Sequence, residues 1–135
     1  MNEDKIKEIR NWLIKSQHDL GSAKRLMEGN EKYLDNAVYH CQQSAEKAIK
    51  AYLTYRDVVF EKTHNLPLLL IPCIQLDSRF KQLGEVAEML NPYASEFRYP
   101  REVMEPEEDE AEQVLVSAKA FVDFIIQLLP DEVRI

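Results

Sequence analysis

Glycine is nearly missing from this chain: three residues in 135. That scarcity argues against a barrel or sandwich built on glycine turns. It also leaves too few glycines for a phosphate-cradling G-x-G-x-x-G or Walker loop, and neither spacing occurs. There are two cysteines, Cys41 and Cys73, which cannot make a disulfide framework and point to a reducing cytoplasm. No apolar run approaches the ~18 residues that a membrane helix needs. The start, Met-Asn-Glu-Asp-Lys, lacks the basic-then-apolar order of a secretion signal. Metal-ligand spacing is absent too. His40 and Cys41 are adjacent, His64 and Cys73 stand elsewhere, and there is no CxxC or HxxxH pair, so no zinc site is expected. The acidic run 105–112 has no EF-hand order. None of the serines sits in a G-x-S-x-G setting.

What is present is one domain's worth of sequence, residues 1–135, with 45% hydrophobic and 30% charged residues. The net charge of −7 is unevenly spread. Residues 102–135 carry ten acids and two bases, whereas residues 1–101 carry fourteen acids and fifteen bases. The overall acidity disfavours non-specific nucleic-acid binding but leaves room for a local basic cleft in the first hundred residues.

Helical periodicity runs through the chain. Ile6, Ile9, Leu13, Ser16, Leu20, Ala23 and Met27 recur at spacings of three and four, which predicts a helix over 3–28 with Asn2 as cap and Gly29-Asn30 as stop. A second helix begins near Asp35 or Asn36. Its seam of Ala37, Cys41, Ser44, Ala48, Ala51 and Tyr55 is flanked by Val38, Ala45, Ile49 and Leu53, the broad arc of a central helix. The small seam residues, an inert Cys41 among them, let neighbours approach closely. His40, Gln43, Lys47 and Thr54 form a polar strip, and Glu46 with Lys50 reads as an outward i,i+4 pair. Thr63-His64-Asn65-Leu66-Pro67 opens a third helix, which Pro72 shortens or kinks. Residues 78–90 are helix-compatible and 91–105 read as an irregular connection. Pro106 and the acids after it start the last helix, whose stripe is Ala111, Leu115, Ala118, Val122, Ile125 and Leu129, with Pro130 as stop. The fold class is therefore all-α, an up-and-down four-helix bundle with a short additional helix.

Two sets of residues exceed what such a bundle needs. On the last helix, Phe121, Phe124 and Leu128 add apolar circumference, which suggests either deep burial or a homodimer face. Around the central helix, His40, Gln43 and Lys47 join His64 and the segment Arg98-Tyr99-Pro100-Arg101. Arginine, lysine and a stacking ring together suit a phosphate-bearing ligand or a base. The plainer alternatives are that His64 caps or bonds a backbone and that Arg98 pairs with a carboxylate such as Glu102.

The run Tyr39-His40-Cys41-Gln42-Gln43-Ser44-Ala45-Glu46-Lys47-Ala48-Ile49-Lys50-Ala51 resembles the central-helix signature of HEPN domains, small nucleotide-binding helical domains. Asp19-Leu20-Gly21-Ser22-Ala23 is similar to the family's D-L-x-x-A. Thr63-His64-Asn65-Leu66 is similar to its T-H-D-L with Asn65 for the acid, and Arg98-Tyr99-Pro100 to its R-Y-P. The marks fall in family order. The resemblance implies a helical bundle, usually a homodimer, that binds a nucleotide or serves as partner subunit of a minimal nucleotidyltransferase, often as a toxin–antitoxin module. It assigns no cofactor. The residues placed at the ligand are His40, Gln43, Lys47, His64, Arg98 and Tyr99. A second branch of the family cuts RNA without metal, using an Arg and a His with four to six residues between them. Here Arg10 and His18, and likewise Arg56 and His64, have seven between them. An RNase toxin would use His64 as general base and Arg56 to stabilise the phosphate; the spacing leads us to expect no such activity. A purely structural dimerisation module is the remaining alternative.

Overall fold

Asn2 opens the first helix in a computed structural model of the chain, which describes residues 1–100 and 103–135: its side chain accepts from the Lys5 N–H at 2.8 Å. Helix α1, Glu3–Leu26, ends two residues short of the predicted 28, and Gly29 supplies the left-handed turn with φ 82°. Helix α2, Leu34–Tyr55, follows. The pairings of Ser16 with Ser44 and Asp19 with His40 show that α1 and α2 run antiparallel. Ser16 donates to the Ser44 carbonyl at 2.7 Å, and Ser44 to that of Cys41. These short side chains let the two helices come close, as the small-residue seam predicts.

Helix α3, Leu66–Leu76, is capped by Asn65, which accepts from the Leu68 N–H at 3.0 Å, and it contains Pro72. The region 78–90 is helical in two pieces: a 3₁₀ segment Ser78–Leu83, then α4, Gly84–Leu90. A 3₁₀ segment Asn91–Ala94 follows, within the stretch expected to be irregular. Helix α5, Glu108–Gln127, starts two residues beyond Pro106. The described residues contain no strand.

The molecule is the expected all-α bundle, with α2 at its centre packed on α1, α3 and α5. Burial explains the arrangement. Ala37, Val38, Cys41, Ala45, Ala48, Ile49, Ala51 and Leu53 of α2 have no exposed surface. Ile9 and Leu13 of α1, Leu66 of α3 and Val122 and Ile125 of α5 close around them. Among the described residues no helix is long and apolar enough to cross a membrane.

Candidate functional site

Charge within this core is concentrated on α2. Glu46 and Lys50, expected to point outward, are instead 3% and 7% exposed. The i,i+4 spacing was read correctly, with Lys50 Nζ donating to Glu46 Oε2 at 2.8 Å, but the face was not. The arc of α2 is broader than its aliphatic residues alone indicate, because the 56–65 connection folds back over this flank. Trp12 and Phe60 shelter the Lys50 ammonium, with ring centres 5.7 and 5.9 Å away.

Glu46 then organises the loop before α3. Its Oε1 accepts from His64 Nδ1 at 2.8 Å and from Gln43 Nε2 at 3.3 Å. Gln42 Nε2 donates to the His64 carbonyl at 2.9 Å, and its Oε1 accepts from Gln43 Nε2 at 2.8 Å. His64 is thus held at both its backbone and its ring. Because a carboxylate only accepts, the Nδ1 hydrogen faces Glu46 and Nε2 is left as the free nitrogen of a side chain 70% exposed.

A second buried acid anchors the other end of the strip. Asp19 of α1 is 8% exposed, and its two oxygens accept from His40 Nδ1 at 2.8 Å and from Lys47 Nζ at 2.5 Å. His40 and Lys47 are therefore tied across the α1–α2 seam. Burial, reinforced by the Asp19 charge, pushes the neighbouring Cys41 thiol up to about 12, and burial takes Cys73 to about 12 as well.

Between these networks lies a cleft of about 230 Å³ lined by Tyr39, Gln43, His64, Ala94, Arg98 and Tyr99. The Arg98 guanidinium lies over the Tyr39 ring, 3.5 Å from its centre. Phe97 helps to deliver it there: it stacks on Tyr93 with ring centres 6.3 Å apart, and its left-handed φ of 66° turns the chain back toward α2. Among the described residues no acid lines the cleft, which offers a guanidinium, an imidazole, an amide and two phenol rings. That composition favours an anion joined to a flat ring.

Of the six residues expected at a ligand, Gln43, His64, Arg98 and Tyr99 come together here, while His40 and Lys47 are held by Asp19. The alternative pair of Arg56 and His64 is not assembled. Arg56, the residue that caps the end of α2, stands ten residues beyond Glu46, about 15 Å of helix, and its Nη1 donates to the Tyr52 hydroxyl at 2.8 Å. The arginine that shares a cleft with His64 is Arg98. Arg101 and Glu102 lie outside the described residues. Sequence reading missed Asp19 and Glu46 as the organisers; the D-L-x-x-A resemblance was the one signal for Asp19. Among the described residues no group of three or more His, Cys, Asp or Glu is placed to hold a metal.

On the last helix, Phe121 is 1% exposed and belongs to the chain's own core, which corrects its assignment to a partner face. Phe124 and Leu128 are partly buried against the same core, Phe124 with its ring 5.4 Å from Phe80.

A helical bundle around a polar α2, with an arginine and a histidine at one cleft, matches a known class. The profile of the HEPN domain matches residues 9–129, and the chain belongs to that family. Two solved structures are similar. One is a protein from Thermus thermophilus, 26% identical with a TM-score of 0.74, the match covering 90% of this chain and 98% of that one. The other is an archaeal HEPN homologue, 21% identical with a TM-score of 0.70, over 90% of this chain and 97% of that one. No curated protein matches.

Proposed function

We propose that this HEPN protein binds a nucleotide in the cleft between α2 and the 94–100 segment and works beside a minimal nucleotidyltransferase, as a binding subunit rather than a nuclease. The observation that carries the reading is the Arg98 guanidinium stacked on Tyr39 in the cleft that His64 also lines. Arg98 meets the phosphate, the Gln43 Oε1 and His64 Nε2 meet polar edges, and the Tyr99 ring, 68% exposed, is free to stack on a base.

Calorimetric titration with AMP and ATP tests the cleft. Saturable binding that Arg98→Ala weakens about tenfold or more supports it; the absence of heat with both nucleotides removes it. Co-purification with the product of a neighbouring nucleotidyltransferase gene tests the partner. Because Arg56 is remote from His64, we expect no cleavage of single-stranded RNA in EDTA. Cleavage lost in His64→Ala and kept in His18→Ala would instead assign the Glu46-held His64 as a general base acting with Arg98.

A further inference from the structure

The polar character of the cleft follows from a chain of hydrogen bonds whose two ends admit no choice. At one end is the His64 carbonyl, which only accepts, so the Gln42 amide turns its NH₂ toward it at 2.9 Å. Gln42 Oε1 then faces Gln43 and accepts from Gln43 Nε2 at 2.8 Å. At the other end is the Glu46 carboxylate, which also only accepts and takes the second hydrogen of Gln43 Nε2 at 3.3 Å. Turning either amide over would set oxygen against oxygen, and both glutamines are buried, at 0% and 7% exposed. Water cannot relieve that conflict there, so both amide orientations are set by the network.

Both hydrogens of the Gln43 amide are thus engaged, while its Oε1 accepts nothing among the described residues. No buried side-chain nitrogen or oxygen among them lacks a partner, so this Oε1 is open, and Gln43 lines the cleft. His64 adds a second atom of the same kind. Its Nδ1 hydrogen goes to Glu46 Oε1 at 2.8 Å, and Lys50 already balances the Glu46 charge. The neutral ring then turns Nε2 outward as a lone-pair acceptor. The Tyr39 and Tyr99 hydroxyls can donate or accept and set no preference. Among the described side chains that line the cleft, Arg98 is the one obligate donor.

The cleft therefore presents a cation for phosphate and two acceptors for whatever the phosphate carries. A base that offers hydrogens to Oε1 and Nε2 is held. A base that offers oxygen meets them lone pair against lone pair. Adenine carries an amino group where hypoxanthine carries a carbonyl oxygen, and cytosine carries one where uracil carries oxygen.

We infer that Gln43 and His64 determine base specificity, selecting nucleotides whose base bears an exocyclic amino group over those with a carbonyl oxygen at the same position. This deepens the nucleotide reading of the cleft and rests on it.

Calorimetry in mildly alkaline buffer tests the inference on the full chain, with AMP against IMP and CMP against UMP. Sugar and phosphate are the same within each pair. The amino member should bind about tenfold or more tighter. His64→Ala removes a side chain 70% exposed, so the fold should survive, and it should lower the AMP-to-IMP ratio about threefold or more. Gln43→Met should lower that ratio as well. Arg98→Ala should weaken all four nucleotides and leave both ratios as they are, which separates phosphate binding from base reading. If the two members of each pair bind alike, or if neither His64→Ala nor Gln43→Met moves the ratio, the specificity inference falls and the cleft reading stands. If none of the four binds, the cleft reading fails and the inference falls with it.

Discussion

Asp19 ties His40 and Lys47 of α2 to α1. It is 8% exposed, and both partners, Lys47 and His40, are partly screened by solvent. Asp19→Ala leaves the Lys47 ammonium without its anion and should cost about 2 kcal/mol, below the range for a fully buried pair. Combining it with Lys47→Met removes the stranded charge, so the double variant should be less destabilised than the sum of the singles, by about 1 kcal/mol in a denaturant-melt cycle. Additive losses would show that the pair is not coupled. Cys41 and Cys73 give a second residue-level expectation. Both are fully buried, with thiols pushed up to about 12, so at pH 8 the thiolate is scarce and inaccessible. An aromatic disulfide reagent should titrate neither in the native protein and both in denaturant; native reaction at pH 8 would contradict the packing around α2.

At the scale of elements, α2 was legible by its small-residue seam, but the direction of its polar flank was not. Periodicity places Glu46 and Lys50 on one stripe, yet the covering residues Trp12 and Phe60 come from α1 and from the loop after α2. Helix α5 shows a similar division. Its acidic first turn is readable in sequence; its end at Gln127, three residues before the proline expected to stop it, and the satisfaction of its last carbonyl are not. Arg134 reaches back to donate to the Leu129 and Gln127 carbonyls at 3.1 and 3.0 Å, supplying positive charge to a helix end whose last turn has no base. Arg134→Ala should therefore fray the end of α5 at a cost of about 0.5–1 kcal/mol. Hydrogen exchange would check this, with faster exchange confined to the last turn of α5 and the segment after it.

For the whole molecule, the open question is how α5 uses its apolar surplus. Phe121 is spent on the core, and Phe124 packs on Phe80, so much of that surplus is intramolecular. Phe124 and Leu128 remain only partly buried, and we propose that this edge of α5 meets a second copy. Light scattering at micromolar concentration should give twice the 15.8 kDa chain mass. Leu128→Glu should halve it with the helical signal retained, while Phe124→Glu should lower thermal stability as well, since its charge would face the Phe80 ring. A monomer mass for the parent protein would contradict the dimer.

Periodicity, proline placement and capping residues depend on neighbours within a few positions, so they determined the helices and the all-α class before any packing was known. The central-helix run likewise marked the family. Tertiary structure alone decided that Asp19 and Glu46 are the two buried anchors. It also decided that Arg98, thirty-four residues beyond His64, shares its cleft while Arg56, eight residues before it, does not. The physical reason is that a helix projects residues in order along its axis, and only the folding-back of loops and the turn at Phe97 brings distant charges onto one face.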